Sequence, residues 1–300
     1  MNAPGEMKQR DRPTKAYDRT TEDVGNIVHL EHFNVVHDDP RLATLFYVVG
    51  LGGTRDPYLF VGLDNMWVNF GRTQAHLPSR GRNPRPEVLR GTIGLVVPSL
   101  PELKARLERV ADGLAETKFS WKEEAGSIVA TCPWGNRIRC HPPSAEFGPL
   151  ELGLAYVDFD VPPGTAPGIA RFYSEVMEAP SRTEGAKAIV SVGRHQKLLF
   201  TETEKPLPAY DGHHIQIYLA DFSSPYAWLK QRGLINMETD AHEWRFQWIT
   251  DPVDGRKLFQ VEHEVRSMKH PLFGRPLVNR NTAITNMTYV PGHDSFRGTY

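Results

Sequence analysis

The side chains best suited to chemistry fall in two short stretches, HHIQIYLADF from His213 and LFQVEHE from Leu258 to Glu264. In an extended strand, successive side chains point to opposite faces. Phe259, Val261 and Val265 therefore share one apolar face, and Gln260, Glu262 and Glu264 share the other. A carboxylate packed among helices without a partner is costly, so the polar face of this strand belongs to an open side. Imidazoles beside carboxylates serve acid–base catalysis or divalent-ion binding. Two other signals carry no function. Neither HHIQ nor HEVRS offers the helical i, i+4 histidine pair of a zinc protease. Gly50, Gly52 and Gly53 have no following Lys-Ser/Thr for a phosphate loop, and instead close a helix before Pro57.

These stretches sit within a repeat. VHLEHFNVV from Val28 is followed by a helical segment with Phe46-Tyr47, then by YLFVG ending at Gly62, then by MWVNF. From Leu152 the order recurs as LGLAYVDFDV, a helical ARFYSEVM with Phe172-Tyr173, AIVSVG ending at Gly193, and KLLFTE. The second part of each half matches as well: GTIGLVV, the helix of SLPELKARLERV, SIVAT and CPWGNRIRC against HHIQIYLA, FSSPYAWLKQRG, FQWIT and DPVDGRKLFQVEHE. Alternation of period two around one segment of helical period predicts four βαβββ-like units. Pro133-Trp134-Gly135-Asn136 and Pro252-Val253-Asp254-Gly255 are expected as turns between the last two strands of their units. The proline-rich HPPSAEFGPLEL from His141 is expected to link the halves. The resulting plan is a disordered arm over 1–25, domains over 27–142 and 150–266, and an extension over 267–300.

Composition excludes several classes. Thirty-five basic residues against thirty-six acidic ones give a net charge of -1, which offers no field for a nucleic-acid backbone or an anionic bilayer. The polar start has no apolar h-region, and no stretch reaches membrane-helix length, so a soluble, cytoplasmic protein is expected. Cys132 and Cys140 are the only cysteines, which fits a reducing compartment and two buried thiols. The expected partner is a small molecule, and a homo-oligomer is compatible with the sequence.

Paired βαβββ units with Phe-Tyr in the first helix, a strand ending in Val-Gly, and a closing Pro-x-Gly-Asn or Asp-Gly turn resemble the vicinal oxygen chelate superfamily. That superfamily includes glyoxalase I, extradiol ring-cleaving dioxygenases and bleomycin-resistance proteins. The resemblance runs roughly from Val28 to Glu264 and implies an α+β fold: tandem βαβββ modules, two per domain, each domain an open mixed-sheet cup with helices outside. Four modules in one chain look most like the dioxygenases. It further implies metal ligands on the first strand of a unit, on the first strand of its partner unit and on a last strand. In the C-terminal half these positions fall on Tyr156, where a histidine would be needed, on His214, and on the Gln260/Glu262 face. In the N-terminal half they fall on His32, Thr92 and the Arg139/His141 face, where a guanidinium disfavours a cation, so this half is expected to hold no metal.

The resemblance thus nominates His214 and Glu262 as ligands of a divalent ion, Fe(II) foremost, with Tyr156, Asp158 or Gln260 open as the third. Tyr156, Asp158 and Tyr218 are candidate acid–base groups lining the same cup. Gln216, Gln260, Arg139 and His32 are candidate substrate contacts, Arg139 for an anionic group. Weighed against this, His32 reads as a hydrogen-bonded structural histidine, Glu262 as a surface partner of Arg266 or Arg256, Tyr156 as a core residue and Arg139 as a solvated strand-edge side chain. Three functions follow: a metal-dependent ring-cleaving dioxygenase on an aromatic or vicinally oxygenated small molecule, a metal-free binding or sequestering protein, and a lyase, isomerase or epimerase on the same scaffold.

Overall fold

The computed structural model describes residues 22–56, 64–79 and 83–275. Two eight-stranded mixed sheets carry the chain, with the helices on their outer faces. The first module supplies β1 (Ile27–Asn34), α1 (Pro40–Ala43) with a π-helical continuation over Thr44–Gly50, β2 (Thr54–Arg55), β3 (Asn65–Phe70) and β4 (Thr73–Pro78). The second supplies β5 (Gly91–Val96), α2 (Leu100–Leu114), β6 (Ser120–Glu124), β7 (Ser127–Thr131) and β8 (Arg137–His141). The third runs through β9 (Gly153–Val161), α3 (Ala166–Arg171) with π-helical Phe172–Val176, β10 (Ser181–Glu184), β11 (Lys187–Ser191) and β12 (Lys197–Glu202). The fourth comprises β13 (His214–Leu219), α4 (Ser223–Gln231), β14 (Ile235–Thr239), β15 (Glu243–Thr250) and β16 (Lys257–Ser267).

The expected modules are present, but their partnership is crossed. The first sheet runs β14-β15-β16-β13-β1-β4-β3-β2 and the second β10-β11-β12-β9-β5-β8-β7-β6. Module one therefore joins module four, and module two joins module three. This corrects the partner positions assigned within each half: β1, with His32, lies against β13 rather than against Thr92, and β9, with Tyr156, lies against β5 rather than against His214. Strand alternation constrains which face is buried and not which module supplies the neighbouring edge.

The core follows the alternation. Phe46, Tyr47, Phe172 and Tyr173 of the two Phe-Tyr segments are fully buried and belong to one contiguous apolar cluster with the inward faces of both sheets. Phe259, Val261 and Val265 of β16 join it, as their spacing requires. His263 shares that face as a neutral core residue: burial pushes its imidazole down to about 3, Tyr173 Oη lies 2.6 Å from its Nε2, and its ring stacks on Phe246 at 4.2 Å. Both cysteines are free and buried. Gly52, at φ +80°, ends the helical segment as anticipated. The expected YLFVG strand lies outside the described residues, as does nearly all of the 1–25 arm. No helix among the described residues is long and apolar enough to cross a membrane.

The two sheets are stitched by Gln196, whose Oε1 accepts from Leu30 N (3.1 Å) and whose Nε2 donates to the carbonyls of Leu30 (2.8 Å) and Leu154 (2.9 Å). Part of the 267–300 segment crosses the first sheet. Leu272 packs on Trp67, Phe273 meets Tyr218 with ring centres 4.9 Å apart, and Arg275 pairs with Asp56 at 2.7 Å.

Candidate metal centre

One face of the first sheet carries many polar side chains, and three of its central strands, β13, β1 and β4, bring three histidines together. Asn34 of β1 pairs in register with His214 of β13 and with His76 of β4, while His32 pairs with Gln216 and Gln74. One ring nitrogen from each of His32, His76 and His214 lies within 4.8 Å of the others, so the rings would have to close in on an ion whose two bonds of about 2.0–2.1 Å span at most about 4.2 Å. His76 is oriented by Asn34 Nδ2 at 2.6 Å from its Nδ1 and Asn65 Oδ1 at 2.7 Å from its Nε2, and it stacks on Trp67 at 3.7 Å. His32 meets the edge of Trp67 at 4.9 Å. Neither nitrogen of His32, nor Nε2 of His214, makes a well-formed hydrogen bond although all three are buried; His32 Nδ1 and His214 Nε2 only meet carboxylates, of Glu31 at 3.5 Å and Glu264 at 3.4 Å. A buried polar atom without a partner costs about 1–3 kcal/mol, so such a group marks a place where a ligand belongs.

Carboxylates and guanidiniums surround the histidines. Glu264 Oε2 lies 3.4 Å from His214 Nε2 and 4.0 Å from His32 Nε2. It pairs with Arg245 at 2.6 Å and with Arg266. A register shift in β1 between Leu30 and His32 lets the consecutive residues Glu31 and His32 both reach this face. Glu31 accepts from Tyr218 Oη at 3.2 Å and from Arg266 Nη1 at 3.0 Å. Burial pushes the Glu264 carboxyl up, but Arg266, the His214 contact, His32 and Arg245 outweigh it and hold the group well below the carboxylate range. Glu31 behaves alike: burial opposes ionisation, and His32 and Arg266 bring it to about 2. Burial keeps His32 neutral, and His76 more strongly so, with His32 and His214 adding to the effect. Neutral imidazole is the ligating form. Four carboxylates, Glu31, Glu243, Glu262 and Glu264, face two guanidiniums, Arg245 and Arg266. The deficit of two positive charges is that of one divalent ion.

Set beside solved structures, the four-module chain matches a candidate dioxygenase from Bacillus subtilis subsp. subtilis str. 168, with a TM-score of 0.55 and 12% identity over 87% of this chain and 89% of that one. Glyoxalase I from Zea mays matches with a TM-score of 0.52 and 13% identity over 79% of this chain and 92% of that one. The chain shares the fold of these proteins. No protein-family model matches the sequence, and no curated protein sequence does. At these identities the likeness speaks for the scaffold, and chemistry has to be argued from side chains.

Within this fold, the nominated residues separate into two groups. His214 and Glu262 do face one side of neighbouring strands, 3.9 Å apart. Glu262, however, is already held by Arg245 (2.9 Å), Asn236 (3.1 Å) and Gln247 (3.1 Å), and its partner is neither Arg266 nor Arg256. Gln216, Tyr218, Gln260 and His32 share this cup. Gln260 contacts Gln247 at 3.3 Å, and the buried amide of Gln216 has no partner at either atom. His32, nominated as a substrate contact in a metal-free half with a structural histidine as the alternative, stands in the histidine cluster.

Tyr156, Asp158 and Arg139 lie in the second sheet, which corrects the placement of Tyr156 and Asp158 in one cup with His214 and of Arg139 in one cup with His32. Tyr156 Oη is bonded to His141 Nε2 at 2.9 Å, Asp158 to Thr201 (2.6 Å) and Lys187 (3.2 Å), and Arg139 to Glu124 at 2.7 Å. Sequence reasoning missed His76 and the charge network of Glu31, Arg245 and Arg266. The signal for His76 was the alternating TQAHLP after the Gly71 turn, a strand with few β-branched residues.

Proposed function

We propose that the chain is a metal-dependent enzyme of the ring-cleaving dioxygenase type, acting on an aromatic or otherwise vicinally oxygenated small molecule in the cup of the first sheet. The observation that carries this reading is the set of three converging imidazoles, two of them with buried nitrogens that make no well-formed hydrogen bond. The residues fit a divalent ion on donor chemistry, since neutral imidazoles suit Fe(II), Zn(II) and Ni(II), and on charge, since the site lacks two positive charges. His32, His76 and His214 would hold the ion. Bound there, it would supply Lewis acidity toward two neighbouring oxygens of the substrate and, as Fe(II), a place for dioxygen.

The chain's own groups divide the remaining work. The Gln216 amide, buried beside His32 in register, would bind a polar group of the substrate. Burial holds the Tyr218 phenol well above its ordinary range and the Glu31 charge adds to this, so its proton stays on Oη. The two arginines keep Glu264 ionised beside the histidines, which offsets the charge of the centre. Trp67 and Leu272 would exclude water from one side.

Glu264 decides between oxidative and non-oxidative chemistry. With its charge taken up by Arg245 and Arg266, three histidines are the ligands and enough positions stay open for a chelating substrate and dioxygen. If Glu264 also ligates, only two positions stay open, which suits a lyase or isomerase. The test is oxygen uptake by Fe(II)-loaded protein presented with a panel of catechols. The dioxygenase reading expects uptake that follows the Fe(II) content and vanishes in His214→Ala protein. Stoichiometric metal without oxygen uptake for any catechol removes that reading and leaves the isomerase one.

A further inference from the structure

The second sheet repeats the architecture of the first while exchanging every donor. Tyr156 of β9 faces Gly94 of β5 where His32 faces Gln216, and one step along Asp158 faces Thr92 where Asn34 faces His214. On the parallel neighbours, Leu199 stands in the place of His76 and Arg139 in that of Glu264. A phenol, an alkyl chain, a hydroxyl and a guanidinium make no site for a cation. The middle of this cup is also filled. The Tyr156 ring lies over Gly94 so closely that a Cβ there would meet it at 2.2 Å. The space that is left lies to one side, a cavity of about 270 Å³ whose wall includes Thr92, Trp121, Lys122, Glu124, Arg137 and Arg139.

We infer that this cavity is a second small-molecule site, selective for a small organic anion and separate from the histidine cup. Three cations line it against one carboxylate. Glu124 is shared between Lys122 at 2.6 Å and Arg139 at 2.7 Å. Arg139 spends a single nitrogen, Nη1, on Glu124 and on Ser127 Oγ at 3.1 Å, and its Nη2 and Nε make no hydrogen bond among the described residues. Arg137 gives Nε and Nη2 to the Gly91 carbonyl at 3.4 and 3.3 Å, with Asp160 at 3.5 Å. A carboxylate or phosphate is the group that a planar guanidinium binds in two-pronged fashion. Val129, which shares the sheet face of Lys122 and Arg139, gives the organic part an apolar wall. The volume lies just below the usual range of ligand pockets, which starts at about 300 Å³, and suits a single ring bearing one anionic group. None of this depends on a metal in the first cup.

The test is calorimetric titration of the full chain, metal-loaded and as His214→Ala, with benzoate, with phenyl phosphate, and with methyl benzoate as the uncharged control. We expect one saturable site for benzoate or phenyl phosphate in both proteins, and the tighter of the two assigns carboxylate or phosphate as the natural group. Methyl benzoate should not saturate. Arg139→Gln should weaken the anion at least about tenfold, the loss of one charge-assisted hydrogen bond. Arg137→Gln is the second variant should Arg139→Gln not fold. Failure of both anions to saturate, equal binding of the ester, indifference to the folded arginine variants, or loss of binding in His214→Ala protein would each overturn the inference.

Discussion

His214 Nε2 and Glu264 Oε2 lie 3.4 Å apart across the parallel pair β13 and β16, although the residue in register with His214 is Glu262. The imidazole leans one step along the neighbouring strand, so the nearer carboxylate belongs to the deeper residue. Glu264 is 1% exposed, and Glu262 is occupied by an arginine and two amides.

That difference separates two conservative variants. Glu264→Gln should lower divalent-ion affinity by about 10–100-fold, the usual effect of removing a group that orients or neutralises a metal site. It should also destabilise the fold by roughly 3–5 kcal/mol, because two buried guanidiniums lose a shared partner. Glu262→Gln keeps its amide contacts and should change affinity by less than about threefold, within the range of a partly exposed pair. Chelator competition and urea titration of both proteins give the answer.

Arg266 is the most heavily committed cation, paired with Glu31, Glu243 and Glu264 while nearly fully buried. Arg266→Met leaves Glu31 without a guanidinium and Glu243 and Glu264 with Arg245 alone, and should cost about 3–5 kcal/mol in the metal-free protein. Saturating divalent ion should restore part of that loss, because bound ligand adds to stability by mass action. Equal losses with and without metal would count against an ion in this cup.

The packing of Gly94 beneath Tyr156 gives a reciprocal prediction. Gly94→Ala should destabilise the chain by about 1–3 kcal/mol through overpacking, and combining it with Tyr156→Ala should cost less than the sum of the two single changes. Metal binding should be untouched by all three proteins, because these residues lie in the other sheet. A double-mutant cycle on thermal or urea stability measures the coupling.

Two buried groups set opposite pH dependences. Burial, with Arg266 beside it, pushes His270 down to about 3 from 6.5. Its lowered value means the stability it contributes is present above pH 6.5 and lost as pH falls toward 3, by up to about 1.4 kcal/mol per unit for one proton. Burial pushes Glu87 up to about 7 from 4.5, so its contribution is full below 4.5 and lost as pH rises through 7. His270→Gln should flatten the acid limb of stability against pH and Glu87→Gln the neutral limb, as read from urea midpoints between pH 4.5 and 8.

Much of the scaffold can be read from local pattern. The Phe-Tyr helices, the module order, the Pro252–Gly255 turn and the polar face of β16 all follow from period and turn chemistry, because each depends on residues close in sequence. What local pattern does not carry is the crossing of modules, since β1 has equally good alternation whether it meets β5 or β13. Local pattern therefore sets His32 beside Thr92, whereas its neighbours in the fold are His76 and His214. The choice of Glu264 over Glu262 rests on a side-chain lean between two residues of one face, and Arg245 and Arg266 become site residues only once β15 and β16 are paired.

The central claim is that three imidazoles of the first sheet hold one divalent ion. The direct measurement is metal content after anaerobic exposure of the purified chain to Fe(II), Mn(II), Ni(II) or Zn(II) and removal of excess ion. One equivalent of at least one ion, lost in His32→Ala, His76→Ala and His214→Ala and kept in Tyr156→Phe, is the predicted result. Less than about a tenth of an equivalent of every ion in the wild-type chain would contradict it.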